Sequence, residues 1–346
     1  MDLGDERALR LDIFDALRSL VEERGGSVTR ADLFDFRVGD LPIQLIDRNR
    51  GIRNPKTFAS TLSIMSKPDS PYVDAIVGDS LFSYAYRDGS IDAGDNVKLR
   101  KSADTQLPLI LLRWIKVGDA IRYLPIFPVY AVADDPENRR ILLALDESLR
   151  DVSDPQHLSE TERRYVQRVT KQRLHQPQFR SRVLLAYKNR CAVCRLGRPQ
   201  LLEAAHIIGD TEVHGIADIP NGLSLCRIHH AAYDRNLMGI SPDCRVHIGP
   251  VLAAADNEGP ILKFGLKGMS HVRLTLPDKK ALHPAPDRLA ERFEQFLSGE
   301  STPHPTQLGS EQLANVDVQK TASVLIGPQF PLTDVTSTEA RSAEVT

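Results

Sequence analysis

Two pairs of potential metal ligands are the clearest chemical signal in this sequence. Two residues separate Cys191 from Cys194, and two separate Cys226 from His229. That spacing lets both side chains of one tight turn reach the same tetrahedral Zn²⁺, and two such turns complete a structural site with no open position. We therefore predict a structural zinc ion. The alternatives are a redox Cys-x-x-Cys pair and a site in which His230 replaces His229.

Further polar residues are interleaved with these ligands in a definite order. His206 lies in an apolar, β-like run between the two pairs, and Asn221 follows in a loop. His230 and Asp234 come after the second pair, four residues apart in a segment with a helical pattern, so they share one helix face. This order resembles the HNH endonuclease family, with its ββα-metal fold, in the branch that has a zinc knuckle. The resemblance covers residues 179 to about 248.

The resemblance implies phosphodiester hydrolysis. His206 would be the general base that takes a proton from the attacking water. An asparagine at the position of Asn221 orients that imidazole in the family, through its backbone or side-chain carbonyl. His230 and Asp234 resemble the ligands of one divalent ion, Mg²⁺ or Mn²⁺, which stabilises charge on the phosphate and the leaving oxygen.

The chain departs from the family pattern directly before the predicted base. Family members usually have a metal-binding His or Asp at that position, whereas this sequence has Ala205. The ion then has two protein ligands plus water and phosphate, or Glu203 substitutes as a third. Two other interpretations stay open: His206 as a hydrogen-bonded core histidine, and the whole module as a zinc-stabilised DNA-binding knuckle without catalysis.

The elements upstream divide into a helical and a β-type region. Residues 2–40 have helical periodicity, broken at Gly25-Gly26, with Thr29 or Asp32 as the cap of a second helix. From residue 43 to about 146, short β-type runs alternate with turn residues, with no long helix among them, which predicts a twisted sheet that closes into a barrel. The runs are 61–65, 81–86, 107–112, 127–132 and 141–145.

The β-type region resembles the SET- and RING-associated (SRA) domain and the wider PUA-like superfamily. A Tyr-x-Asp element at Tyr72 and Asp74 and a Phe-x-Tyr strand with Tyr84 and Tyr86 carry the resemblance. Family members flip a modified cytosine into a pocket of aromatic rings and a carboxylate, so these four residues are the predicted pocket. Apolar contact with a methyl group alone discriminates by only ~1–3 kcal/mol. The alternative is that the tyrosines are half-buried strand residues and Asp74 a turn former.

A basic segment connects the two regions. Residues 161–198 contain eleven Lys or Arg and a single acid, Glu162, although the whole chain has Lys+Arg 44 against Asp+Glu 46. Any surface that binds a polyanion must therefore be local, and this imbalance favours a phosphate-facing surface over a solvated helix face. The predicted contacts to the DNA backbone are Arg163, Arg164, Arg168, Lys171, Arg173, Arg180 and Arg182.

Composition bounds the class of protein. With 41% hydrophobic and 26% charged residues among 346, the chain is neither wholly disordered nor fibrous. Four cysteines in a chain of this length are not a disulfide scaffold. No run approaches the ~18–20 apolar residues of a membrane helix, and the acidic N-terminus lacks a signal-peptide core, so we predict a cytoplasmic protein without membrane partners.

We therefore predict an α+β chain in five parts. They are a helical lead-in (1–40), an SRA/PUA-like modified-DNA recognition domain with a β-barrel (41–148), a basic helical linker (149–178), a zinc-stabilised ββα-metal HNH domain (179–300) and a disordered tail (301–346). The implied function is a modification-dependent restriction endonuclease that flips 5-methylcytosine or 5-hydroxymethylcytosine out of double-stranded DNA. Because one HNH site cuts one strand, duplex cleavage predicts a homodimer or two recruitments. The alternatives are an HNH endonuclease directed to N6-methyladenine, a phosphorothioate linkage or an unmodified sequence, and a non-catalytic DNA-binding regulator.

Overall fold

Two helices open the chain, as the apolar periodicity predicts. Helix α1 (Leu3–Glu23) begins at Asp2, whose carboxylate accepts a hydrogen bond from the Asp5 N–H. It ends before Gly25 and Gly26, which both adopt a positive φ that suits glycine. Helix α2 (Arg30–Phe34) begins at Thr29 with a capping box, which confirms the predicted break and one of the two predicted caps.

The computed structural model describes residues 1–67, 81–210, 212, 214–255 and 259–299, which all belong to one compact unit. The predicted tail from residue 301 lies outside these ranges. Among the described residues, no helix combines the length and the apolar character that crossing a bilayer requires.

A mixed six-stranded sheet follows the helical lead-in. The strands of this part are β1 (Arg37–Val38), β2 (Leu41–Pro42), β3 (Ile52–Arg53), β4 (Ser63–Ser66), β5 (Phe82–Ala85), β6 (Leu109–Val117), β7 (Ala120–Asp135) and β8 (Arg140–Ala144). Strands β1 and β2 pair separately, and the sheet has the order β3-β4-β6-β7-β8-β5, with only the β4–β6 pair parallel. Every predicted β-type run overlaps one of these strands.

The sheet curls so that its two edges approach each other. Tyr84 of edge strand β5 places its hydroxyl 3.3 Å from the Gly51 carbonyl and 3.4 Å from the Met65 carbonyl, which belong to the opposite edge. The prediction of no long helix in this region was wrong, because α3 (Asp95–Thr105) lies between β5 and β6. Leu99 is its only buried large apolar residue, so its hydrophobic periodicity is too weak to mark a helix.

A long helix carries the chain from the sheet to the C-terminal part. It consists of α4 (Glu160–Thr170), a π-helical turn (Lys171–His175) and α5 (Gln176–Ala186). Val166 in α4 packs in a cluster with Tyr130 and Leu142 of the sheet, whereas Phe179 and Val183 in α5 pack in the core of the C-terminal part. We call these three segments the linker helix.

The C-terminal part has two short hairpins and flanking helices. Its elements are β9 (Leu202–His206), β10 (Gly222–Cys226), α6 (Arg227–Asp234), β11 (Met238–Ile240), β12 (Val246–Ile248), α7 (Pro250–Ala254) and α8 (Pro286–Ser298). Antiparallel β9 and β10 followed by α6 give the predicted ββα unit, and α8 comes last among the described elements. Residues 271–276 form only an isolated bridge, because Leu274 and Thr275 donate to Cys244 and Ala192, which belong to different segments.

Candidate active site and zinc site

The four predicted zinc ligands converge on one point. Cys191 and Cys194 lie in the turn after the linker helix, Cys226 ends β10 and His229 is in the first turn of α6. All four donor atoms lie within 4.8 Å of one another. The His229 Nδ1 atom is 3.1 Å from the Cys226 Sγ atom and 3.6 Å from the Cys191 Sγ atom. This cluster confirms that the two sequence pairs form a single site.

The chemistry of this donor set fits zinc. The Nε2 atom of His229 lies 2.8 Å from the Gly265 carbonyl oxygen, so its N–H donates there and Nδ1 faces the thiols. Burial lowers the pKa of His229, but hydrogen bonds to Cys191 and Cys226 outweigh it and raise the pKa to about 10. A zinc ion needs the neutral imidazole and the thiolates, so binding would displace these protons. His230 lies outside the cluster, which removes it as the alternative fourth ligand.

His206 lies at the end of β9, directly opposite Gly222 of β10. Its imidazole stacks on the ring of Phe179, with the centroids 4.0 Å apart and the planes 12° from parallel. The His206 Nε2 atom is buried and has no hydrogen-bond partner among the described residues. Burial is the main cause that lowers the pKa of His206, so the imidazole is neutral near pH 7. A neutral imidazole is the form that a general base requires.

Asn221 is fully buried, and its side chain holds the backbone that follows His206. Its Nδ2 group donates to the carbonyls of Ile208 (2.9 Å) and Ile216 (3.0 Å), and its Oδ1 atom accepts from the Ile208 N–H (2.9 Å). Its main-chain carbonyl accepts from the Ile207 N–H at 2.9 Å. The side-chain and main-chain carbonyl oxygens of Asn221 thus both accept hydrogen bonds from main-chain N–H groups. The residue therefore fixes the loop after β9 and not the imidazole ring of His206.

A second polar cluster lies beside the predicted base. The His230 Nδ1 atom is 2.7 Å from a Glu203 carboxylate oxygen, and its Nε2 atom is 3.3 Å from an Asp234 carboxylate oxygen. All three side chains are partly exposed, and Arg227 approaches Glu203 at 3.4 Å. Two carboxylates and one imidazole suit a hydrated Mg²⁺ or Mn²⁺, provided that His230 releases one carboxylate. Glu203, the possible substitute for a ligand at Ala205, thus contacts His230, one of the predicted ion ligands.

A cleft of about 360 Å³ opens beside His206. Its walls include Lys171 and Phe179 from the linker helix and Asp210 from the loop after β9. The Lys171 ammonium lies 2.8 Å from the Asp210 carboxylate and joins the two walls.

The predicted DNA-backbone residues divide by exposure. Arg164, Arg168 and Lys171 are exposed, and Arg163 and Arg182 are partly buried. Arg164 pairs with Glu160 on the same helix, and the Arg168 guanidinium lies 5.0 Å from the centre of the Tyr165 ring.

The other two arginines of this set bind main-chain carbonyls of distant segments. Arg173 donates to the carbonyls of Phe127 and Leu145. Arg180 donates to the carbonyls of Gly25 (2.7 Å), Pro199 (3.0 Å) and Leu202 (2.8 Å). These contacts connect the linker helix to the sheet, to the end of α1 and to β9.

The predicted base pocket is only partly within the described residues. Tyr84 and Tyr86 are buried in the core of the sheet, 5% and 2% exposed. The Tyr86 hydroxyl contacts the Asp134 carboxylate, and burial together with this contact raises the pKa of Tyr86. Tyr72 and Asp74 lie outside the described residues.

Phe179 and Asp210 were not singled out from the sequence, although both flank His206. Phe179 belongs to an apolar helix face and Asp210 to a polar loop, so neither has a local signal that separates it from its neighbours. The position of Asp210 four residues after the predicted base is the one hint that the sequence offers.

Comparison with known proteins agrees with this geometry. Residues 191–241 match the family described as HNH endonuclease, and this range includes both ligand pairs and every residue of the second cluster. No curated protein sequence matches the chain. One similar solved structure is a modification dependent TagI restriction endonuclease, at 17% identity and a TM-score of 0.25, covering 72% of this chain and 86% of that one. From the family match, the chain carries an HNH endonuclease domain, the catalytic module of a DNA-hydrolysing nuclease.

Proposed function

We propose that this protein is a modification-dependent DNA endonuclease. The domain at 179–300 cuts the phosphodiester bond, and the domain at 41–148 selects 5-methylcytosine or 5-hydroxymethylcytosine flipped out of the duplex. The observation that carries the nuclease half is the position of a half-buried His206, whose pKa is lowered, on the same strand as Glu203, whose carboxylate binds His230 of α6.

The residues of the ββα unit divide the work of hydrolysis. His206 accepts the proton of the attacking water, because burial favours its neutral form. Asn221 fixes the loop after the base through three side-chain hydrogen bonds. Glu203, His230 and Asp234 hold the divalent ion, which supplies Lewis-acid stabilisation of charge on the phosphate when bound. The zinc site has four protein ligands and is structural.

The recognition half of the proposal rests on the presence of a second apolar core. The curled sheet has its own apolar core, distinct from the core of the ββα unit, so it is a folded body available for another task. A small catalytic module contacts few base pairs, and a flipped base in a closed pocket adds hydrogen-bond discrimination. Tyr72 and Asp74 are the proposed pocket residues. Tyr84 and Tyr86 are core residues of the sheet.

The linker at 149–178 and the start of the nuclease domain supply the proposed backbone contacts. We expect Arg164, Arg168 and Lys171, which are exposed, to contact phosphates, and neutralising each phosphate releases counterions.

Digestion of matched plasmids tests both halves. Plasmids of one sequence, unmodified or carrying 5-methylcytosine, 5-hydroxymethylcytosine, N6-methyladenine or phosphorothioate linkages, are incubated with the protein and Mg²⁺ or Mn²⁺. We expect cleavage of the cytosine-modified plasmids only, and none by His206→Ala purified in parallel. Equal cutting of all plasmids would refute modification sensing. Cutting by His206→Ala at the wild-type rate would refute the assigned base, and a folded, zinc-loaded protein that binds but cuts no plasmid would be a non-catalytic regulator.

A further inference from the structure

The imidazole of His206 is held by ring stacking. Its plane lies 12° from that of Phe179 at a centroid distance of 4.0 Å, while its Nε2 atom has no partner among the described residues. Asn221 does not share this task, because its side chain is bound to the backbone of Ile208 and Ile216. The face of the Phe179 ring is therefore the contact that fixes the orientation of the imidazole.

The packing around Phe179 shows that its position is itself well defined. Phe179 is 4% exposed and lies on the linker helix, which packs against β9 and β10. A Cβ atom at Gly222, the residue opposite His206, would lie 3.0 Å from Phe179 Cζ and 2.4 Å from Val183 Cγ2. The helix can approach the strand this closely only because position 222 has no side chain.

We propose that Phe179 is a positioning residue for His206, and that the linker helix is therefore a component of the active site. The ring fixes the plane of the imidazole and covers one of its faces. This proposal rests on the proposed function, because it assigns a role within the same site.

The titratable groups around the imidazole of His206 belong to three elements. Lys171 and His175 line the cleft from the linker helix, and Asp210 lines it from the loop after β9. From α6, His230 and Asp234 also act on His206. The acidic groups raise the pKa of His206 and the basic groups lower it, so burial is the largest influence on this pKa. Phe179 supplies part of that burial.

Two substitutions on the same helix distinguish a role of Phe179 in positioning His206 from a role in filling the apolar core. Phe179→Leu keeps apolar volume but removes the flat face, whereas Val183→Ala removes apolar volume from the same contact with Gly222 and leaves the stack. The readouts are the pKa of His206, from NMR titration of protein with labelled histidine, the kcat and KM for modified plasmid, and urea unfolding of the zinc-loaded protein. Phe179→Met is the second variant if Phe179→Leu loses cooperative unfolding.

For Phe179→Leu we expect the pKa of His206 to rise towards its ordinary value and kcat to fall about ten- to a hundredfold, with KM little changed. For Val183→Ala we expect an unchanged His206 pKa and a kcat within about twofold of the wild type, despite lower stability. Equal effects of the two variants, or an unchanged His206 pKa in the Phe179 variant, would overturn the proposal. The NMR titration needs no cleavage. A shift in a protein that cuts no DNA would therefore uphold the positioning role and refute the nuclease function.

Discussion

The residues of the site are distinguished by burial and by the neighbours that each one meets. The proposed base His206 is half-buried and stacks on an aromatic ring, whereas His230, on helix α6, lies between two carboxylates. The same side-chain type therefore has two environments within one ββα unit. The environment of His206 lowers the pKa of its imidazole, mainly through burial.

The lowered pKa of His206 predicts the pH dependence of cleavage. As the pH falls through that pKa, the imidazole gains a proton and the base is lost, so the acid limb of kcat should lie below about pH 6.5. Asp210 raises the pKa of His206 and Lys171 lowers it. Asp210→Asn should therefore move the acid limb to lower pH and Lys171→Met to higher pH, measured at saturating DNA. Shifts in the reverse directions would contradict this electrostatic assignment.

Two substitutions of Asn221 test whether the loop after β9 depends on the hydrogen bonds of its side-chain amide. Asn221→Ala leaves the main-chain groups of Ile208 and Ile216 unpaired, which costs about 1–3 kcal/mol for each buried group that water does not reach. Asn221→Asp should be worse, because a buried carboxylate cannot donate to two carbonyls. Urea unfolding of the zinc-loaded protein measures the stability. A variant as stable as the wild type would show that the loop does not depend on this amide.

At the scale of elements, the sequence predicts what depends on local spacing. The zinc pairs need only two tight turns, and the helix that bears His230 and Asp234 follows from periodicity, so both were predictable. Phe179 was not, because its role depends on how closely the linker helix approaches Gly222. Tyr84 and Tyr86 alternate along a strand, but alternation alone does not say whether their shared face borders a pocket or the core.

The zinc site predicts a different result for each of two cysteines in the same domain. Cys194→Ser should lose the metal and unfold the ββα unit, because four ligands close its turns. Cys244 is a free cysteine outside the cluster. Cys244→Ser is therefore the matched control and should keep the metal. Metal analysis should give one zinc per chain for the wild type and the control. Full zinc content in Cys194→Ser would contradict the assignment.

The linker helix predicts which arginines govern DNA affinity. Replacing exposed Arg164 and Arg168 with alanine should weaken binding and reduce the slope of log K against log salt by about 0.9 for each lost phosphate contact, with stability unchanged. Arg180→Ala should instead lower stability and leave the slope unchanged, because its guanidinium binds three carbonyls. Anisotropy titrations in the His206→Ala background measure the slopes. A reduced slope for Arg180→Ala alone would reverse these roles.

At the scale of the whole molecule, the linker helix connects two apolar cores. Its first part packs on the sheet and its last part in the nuclease core, and Arg180 adds a contact to the end of α1. Phe179 therefore lies on the same continuous helix that packs on the sheet. The net charge of −2 gives no general attraction to DNA, so we expect binding to depend on this basic segment.

The number of catalytic sites sets how a duplex is cut. The chain matches the HNH family over a single segment, and one such site cuts one strand at a time. With supercoiled modified plasmid and dilute protein, we expect nicked circles to accumulate first. Linear DNA should then form at a rate that rises more steeply than the first power of protein concentration, because a second copy must act on the opposite strand. Gel analysis of time courses over a range of concentrations measures this order, with sedimentation of the protein at the same concentrations as the control. Linear product without nicked circles, at a concentration where the protein is monomeric, would show that one chain cuts both strands.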